Sequence, residues 1–334
     1  MSTLYLLTAP PPAFEGTDAV QQDVVALRQA FGGKTLNLSP LKTSTRRFPK
    51  QLFGLHKIKE LRALESQCHI NHIFFPTPYP FPILRLLHNP IFYTVTGSLD
   101  ASKKPLACSQ LKKLRRIVVS NDRDAGILES WGLTNYAIIP PGIDASALIP
   151  NKLLLDRELV LLMASAPWIA HQFDQKGIDL LLAAAGKLPF LRLILLWRGV
   201  LADVLAMRVA RLGLEKRVEI VNRKVNINDY LTKAHATVLL AKNGGIVKSF
   251  PHSLIESLVA GKPVILSNTI AMADYVRSHR CGVVIPDFNL DAFVSGIERL
   301  MTTYQGLSDR AARIGPSAFS LTTMIENHRR LYGL

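Results

Sequence analysis

Short apolar runs alternate with helical patterns from one end of the chain to the other, and no other feature restricts the fold as much. In the first half the runs are TLYLLTA, KTLNLS, INHIFF, IFYTVT, RIVVS and YAIIP, with helical patterns at 19–31 and 122–131 among them. In the second half they are LVLLMAS, RLILLWRG, VEIVN, ATVLLA, PVILS and CGVVIP, with helical patterns at 177–187, 202–212, 227–234, 252–260 and 290–304. Strands that are apolar throughout need cover on both faces. That is the arrangement of a parallel sheet with helices on each side.

The series runs twice, which predicts an α/β protein of two Rossmann-like domains. Pro140, Pro141, Gly142 and Pro150 mark irregular chain between the two series. The expected division is 1–150 and 151–308, with a helical segment at 309–334 packing back toward the N-terminal domain. Ligands of such sheets bind beyond the carboxyl ends of the strands. Two such domains facing each other would place a site in the cleft between them.

With 48% hydrophobic and 19% charged residues, the 334-residue chain can bury two cores and is not a disordered chain. Charged or proline residues interrupt every apolar run, so no membrane-spanning helix is expected. The opening MSTLYLLTA lacks a basic leader region and reads as a first strand. Cys68, Cys108 and Cys281 are scattered and suit a reducing cytoplasm. His69, His72, His88, His171 and His252 have no metal-binding spacing. The net charge of +15 implies attraction to polyanions. Eight of the Lys and Arg residues, against one acid, fall between Lys34 and Arg62. Read as one helix, residues 50–62 would carry an apolar stripe beside a basic rim formed by Lys50, Lys57, Lys59 and Arg62. Two readings stand: a peripheral contact with an anionic membrane, or packing on the first sheet. The basic stretches contain few aromatics and no nucleic-acid module, so no nucleic-acid partner is expected.

The stretch KSFPHSLIESLVAGKPVILSN, residues 248–268, reads as loop, helix and buried strand. Ser249 or Ser253 is positioned to cap the helix. Glu256 falls near its first turn, where the dipole favours an acid. Gly261 ends the helix, and Lys262 suits its C-terminus. The amides of the helix start favour an anionic or hydroxyl-rich ligand.

SFPHSLIESLVAGKPVILSN resembles the donor-binding signature of retaining, family-4-like glycosyltransferases of the GT-B fold. QKGIDLLLAAAGKL is similar to the lysine-glycine run of the same family, VEIVNRKVNINDYL to its base-contacting segment, and PPAFEGTDAV to its acceptor-side loop. The resemblance implies that Glu256 binds the ribose of a nucleotide sugar and Lys176 its diphosphate. Arg198 and Lys224 are implied as further donor contacts, and Ser249, Phe250, Pro251, His252, Ser253 and Leu254 form the helix-start loop. Gly16, Thr17 and Thr96 fall on the acceptor side. No metal or other cofactor is implied, only the nucleotide sugar as donor.

Where the family has a glutamate that contacts the donor sugar, this chain has Lys248. Three readings stand: a drifted, solvated lysine; a lysine that changes donor choice; or a loss of donor binding and activity. The expected function is therefore a retaining, metal-independent, hexosyltransferase-like enzyme acting on a glycan or lipid-linked acceptor. It would be cytoplasmic or peripheral at the inner membrane face. The alternative is a catalytically degenerate binding or partner protein of the same fold.

Overall fold

The structure, a computed structural model, describes residues 2–9, 16, 18–40, 49–105, 108–197 and 199–334. It divides the chain into two units, each built on one six-stranded parallel sheet. The first unit holds Met1–Gly142, Val247–Ser249 and Leu321–Leu334; the second holds Ile143–Ile246 and Phe250–Ser320.

The first sheet uses β1 (Thr3–Leu7), β2 (Gly33–Asn37), β3 (Ile70–Phe75), β4 (Ile91–Val95), β5 (Arg116–Val119) and β6 (Tyr136–Ile138), in the order β2-β1-β3-β4-β5-β6. Alternation along each strand sends side chains to two cores. Leu4, Leu6, Ile73, Phe75, Val95 and Ile117 point to one. Tyr5, Phe74, Phe92 and Val118 point to the other, where they meet Val24 and Leu27 of the helix Ala19–Phe31 and Met324 and Tyr332 of the helix Leu321–Tyr332. Within that second core His72 lies fully buried between Tyr332 Oη at 2.5 Å and Thr94 Oγ1 at 2.7 Å.

Residues 50–62 do not form the single amphipathic helix expected from the sequence. Two 3-10 turns, Lys50–Leu52 and Leu55–Lys57, precede a helix at Ile58–Glu65. Gly54, at φ 79, breaks the run. That break lets Phe53 turn inward and stack on Phe81 at 6.1 Å, while Lys50 Nζ lies over the Phe75 ring at 5.1 Å. Leu61 is buried, whereas Leu52 is exposed, so the apolar stripe is not continuous.

The second sheet uses β7 (Leu159–Met163), β8 (Leu191–Leu196), β9 (Val218–Val221), β10 (Ala236–Leu239), β11 (Val264–Ser267) and β12 (Gly282–Ile285), in the order β12-β11-β10-β7-β8-β9. Counted from β7, this is the doubly wound order whose direction of winding reverses between β7 and β10. Loops leaving the carboxyl ends of those two strands diverge to opposite faces and leave a crevice. Leu161, Leu193, Val238, Ile265 and Val283 line the core between this sheet and its helices. The last helix of the unit, Leu290–Ala318, runs well past the expected end at residue 304, so the expected 308/309 division falls inside it. The chain rejoins the first unit only at Leu321.

Candidate functional site

The β7 loop ends in a short helical turn, Gln172–Gln175, followed by Lys176 and Gly177. Gly177 adopts φ 65, and a Cβ there would stand 2.6 Å from Leu240 Cβ, so only glycine lets the loop press against the end of β10. Two further bonds tie the loops together: Lys242 N donates to Gln175 O at 2.8 Å, and Lys242 Nζ pairs with Asp174 at 3.2 Å. Lys176 is thereby held at the winding reversal. Its side chain is only 6% exposed. Its ammonium donates to Ala166 O at 3.0 Å and Ser165 Oγ at 3.3 Å, both neutral oxygens.

The β10 loop passes through a 3-10 turn, Gly244–Ile246, and leads to the helix His252–Val259. Apolar residues Leu254, Ile255, Leu258 and Val259 recur at helical spacing and are buried. Phe250 anchors the helix start against Tyr275 and Phe319, at 6.1 and 5.9 Å. Neither expected serine caps this helix. The N-cap is Pro251, with no side-chain hydrogen bond, and Ser253 lies inside the first turn. Leu254 N, at the third helical position, donates to Pro251 O at 3.0 Å. His252 and Leu254 are buried, while Ser253 and Glu256 are half-buried. Glu256 falls in the second turn rather than the first, too far along for the dipole to account for its presence.

Lys262, expected to favour the helix C-terminus, is fully buried. Its Nζ has no hydrogen-bond partner among the described residues. Burial pulls its pKa down to about 8. Lys224 is exposed on the loop after β9, where Asn222 Oδ1 accepts from Gly199 N at 2.6 Å and joins the β8 and β9 loops. Arg198 and Thr17 lie outside the described residues.

The residues expected to form one loop divide between the units at Ser249 and Phe250. Val247–Ser249 group with the first unit, across the carboxyl ends of its strands. Lys248 bridges Gly97 in antiparallel fashion, just past β4. Ser249 N donates to Thr96 O at 3.1 Å, and Ser249 Oγ donates to Asp124 Oδ2 at 2.6 Å. Asp124 also accepts from Leu99 N at 2.8 Å and Asn121 Nδ2 at 2.7 Å. Lys248 Nζ lies 3.9 Å from Asp23 Oδ2. Thr96 therefore meets this strap through its backbone carbonyl. Gly16, at φ 77, precedes the helix Ala19–Phe31 and accepts from Gln22 Nε2 at 2.8 Å through its carbonyl.

The sequence reading missed Asp23 and Asp124. Asn121 and Asp124 had a local signal, the spacing of a capping box, and Asn121 Oδ1 does accept from Asp124 N at 2.8 Å. Asp23 had none, since its partner is 225 positions away in sequence, from 23 to 248. Among the described residues no group of three or more His, Cys, Asp or Glu is placed to hold a metal. Among them, too, no helix is long and apolar enough to cross a membrane.

Two parallel six-stranded sheets of this kind constitute the GT-B glycosyltransferase fold, and residues 167–318 match the family described as Glycosyl transferases group 1. No curated protein matches the chain by sequence. Among solved structures, a sucrose-phosphate synthase from Thermosynechococcus elongatus is similar over 100% of this chain and 98% of its own, with TM-score 0.77 and 16% identity. The Anabaena protein HepE, in complex with UDP, is similar over 100% of both chains, with TM-score 0.73 and 14% identity. WaaG, a glycosyltransferase involved in lipopolysaccharide biosynthesis, is similar over 99% of this chain and 100% of its own, with TM-score 0.70 and 13% identity.

Proposed function

We propose that the protein is a retaining glycosyltransferase that takes a sugar from a nucleoside diphosphate donor without using a metal ion. The observation that carries the proposal is the setting of Lys176. It is a nearly buried ammonium at the winding reversal of the second sheet, on a loop stitched to the one that precedes the helix His252–Val259. Positive charge fixed in a partly dry crevice stabilises a diphosphate more than the same charge in water. The helix-start segment of Ser249, Phe250, Pro251, His252, Ser253 and Leu254 brings the positive end of the helix His252–Val259 to the donor, through the first-turn amides of His252 and Ser253. Glu256, half-buried further along that helix, offers the two acceptor oxygens that a ribose diol requires. Lys224, exposed on the loop after β9, supplies further positive charge, and Arg198 is assigned to the donor on its sequence position alone. Gly16, Thr17 and Thr96 serve the acceptor.

In the reaction the bond from the anomeric carbon to the β-phosphate oxygen breaks, and a bond to the acceptor oxygen forms on the same face. The acceptor proton passes to the departing diphosphate oxygen, so no protein nucleophile is consumed. HepE has been solved with UDP and with UDP-glucose, which makes uridine diphosphate sugars the first donors to test. The basic residues from Lys50 to Arg62 suit an acceptor presented at an anionic membrane surface. On this reading the enzyme works in the cytoplasm, at the inner face of the membrane.

Titration calorimetry with UDP and 2′-deoxy-UDP tests the donor assignment. The protein is expected to bind UDP in the presence of a chelator. Lys176→Ala should weaken binding about 10- to 100-fold, the loss of a charge-assisted hydrogen bond. Glu256→Ala should bind the two nucleotides alike. Failure of every nucleoside diphosphate to bind, or full binding by Lys176→Ala, overturns the proposal. A second reading, a non-catalytic nucleotide-sugar binder, draws support from Lys248, which replaces an expected glutamate and lies beside Asp23. Donor binding with no release of free UDP in the presence of any acceptor would select it.

A further inference from the structure

A hollow of about 500 Å³ opens on the second unit between the edge strand β12 and the helix Leu290–Ala318. Its floor is apolar, formed by Val283 and Leu307, and three arginines stand around it: Arg280, Arg299 and Arg310. The helix contributes Arg299, Gly306 and Arg310 at steps of seven and four residues, which puts them on one face. Among the described residues none of the three guanidinium groups forms an ion pair. The neighbouring Asp309 is committed to Lys152 at 2.6 Å and to Gln305 at 3.0 Å. Arg299 gives one N–H to Val284 O at 3.0 Å, out of five donors.

Two glycine-related features keep this hollow open and armed. Gly306 lies inside a long helix, where alanine would be more stable by about 1 kcal/mol. A Cβ there would meet nothing within 4 Å, so open space lies above it. Arg280 sits at the C-cap of the helix Met272–His279 with φ 51. Glycine is the usual residue in that left-handed position, and a side chain is disfavoured there. An arginine kept in a disfavoured conformation, lining the same hollow as two other arginines without ion pairs, signals a ligand that compensates for it.

The hollow is separate from the site at the β7–β10 crevice. Arg280 precedes β12, at the amino end of the sheet. The helix starts beyond the carboxyl end of β12 and runs back past it: Arg310 is 20 residues in, about 30 Å along the axis at 1.5 Å per residue, whereas the four-residue strand spans about 13 Å. We propose that this hollow is a second anion site that binds a phosphate or pyrophosphate group, held by Arg280, Arg299 and Arg310. Three planar donor forks around an apolar floor fit a phosphoester carrying a modest apolar body. The same chemistry is offered by a soluble phosphate compound and by a phospholipid headgroup.

Hydrogen–deuterium exchange of the full chain, with inorganic pyrophosphate in one arm and phosphatidylcholine vesicles doped with phosphatidic acid in the other, tests this. Protection of residues 280–285 and 299–310 is expected in at least one arm, and the arm in which it occurs identifies the source. Arg310→Gln should weaken the effect about tenfold. Arg280→Gly should weaken it similarly while folding at least as well, since glycine adopts φ 51 without strain. That second variant separates lost binding from lost structure. Lys176→Ala should leave the effect unchanged, because it lies at the other end of the sheet. No protection in either arm, or protection that survives both arginine variants, overturns the proposal.

Discussion

Replacing Ser249 by alanine should loosen the 247–249 strap, whereas replacing Lys248 by methionine should not. The difference follows from the two contacts. Ser249 Oγ gives its proton to a carboxylate at 2.6 Å, with Ser249 0% and Asp124 1% exposed. A hydrogen bond to a charged group contributes about 1.5–3 kcal/mol. Asp124 would keep its bonds from Leu99 N and Asn121 Nδ2, which places the loss near the lower end, about 1.5–2 kcal/mol. Lys248 and Asp23 are 3.9 Å apart, with side chains 23% and 14% exposed. A pair at that separation, still in reach of water, contributes about 1 kcal/mol or less. The strap also keeps its backbone bond to Thr96 in either variant. Native-state hydrogen exchange at residues 97–99 and 247–250 reads this directly. Ser249→Ala should speed local opening about tenfold or more, and Lys248→Met by less than about fivefold. Equal loosening by the two would show that the lysine is structural, and the reasoning would fail. If the asymmetry holds, any change of donor preference in Lys248→Met reports on the sugar and not on the loop. Lys248→Glu restores the glutamate but sets it beside Asp23. Its activity should therefore recover only in combination with Asp23→Asn.

Gly177→Ala should cost at least about 2 kcal/mol in urea unfolding and abolish nucleotide binding, since the new Cβ would overlap Leu240 at a φ of 65. Unchanged stability would show that the loop is not pressed against β10. Lys262→Met should stabilise the protein by about 1–3 kcal/mol at pH 7, because it removes a buried amine with no hydrogen-bond partner among the described residues. The folded pKa of about 8 lies below that of the unfolded chain, so wild-type stability should rise with pH above about 8 and the advantage of the variant should shrink there. A destabilised Lys262→Met would contradict this. Burial holds His72 and His328 well below and below their usual pKa, respectively. The unfolded chain then binds more protons below pH about 6.5, and stability should fall as pH drops from 7 to 5, by about 1.4 kcal/mol per pH unit for each histidine kept neutral. His72→Gln should show a shallower decline. A flat melting temperature from pH 7 to pH 5 in the wild type would refute the assignment.

The strands were legible because parallel strands covered on both faces are predominantly apolar. INHIFF and PVILS announce themselves without regard to their neighbours. The start of the helix Leu290–Ala318 was legible for the same reason, through Phe293, Ile297 and Leu300. Its end was not. Gly306 and Ser308 read locally as a turn, but tertiary packing overrides them. Ser308 Oγ donates to Gly261 O at 2.9 Å, and Gly315 allows the helix to approach Leu258 O, which a Cβ would meet at 2.2 Å. The region from Lys50 to Arg62 failed in the opposite sense. Its composition has the periodicity of a helix, yet one left-handed glycine breaks it and turns Phe53 inward.

The candidate site divides along the same line between local and non-local causes. The placement of Lys176, Gly177 and the stretch from Phe250 to Glu256 just beyond strand ends was legible because contiguous residues set it. The fate of Lys248 and Ser249 was not, because it depends on Asp23 and Asp124, more than a hundred positions earlier. A serine before a helix is more often a cap than a bond to a distant carboxylate, so the local inference was sound and its outcome was set elsewhere. The consequence is functional as well as structural. The segment preceding the helix His252–Val259 carries an ammonium, Lys248, and the Asp23 carboxylate lies 3.9 Å from it. Together the two side chains present a hydrogen-bond acceptor on Asp23 and a donor on Lys248. That arrangement makes Asp23, which no motif marks, the residue to vary together with Lys248: if the two act as a pair, Asp23→Asn and Lys248→Met should change donor preference non-additively in a comparison of nucleotide-sugar turnover, and simple additivity would show that they act apart.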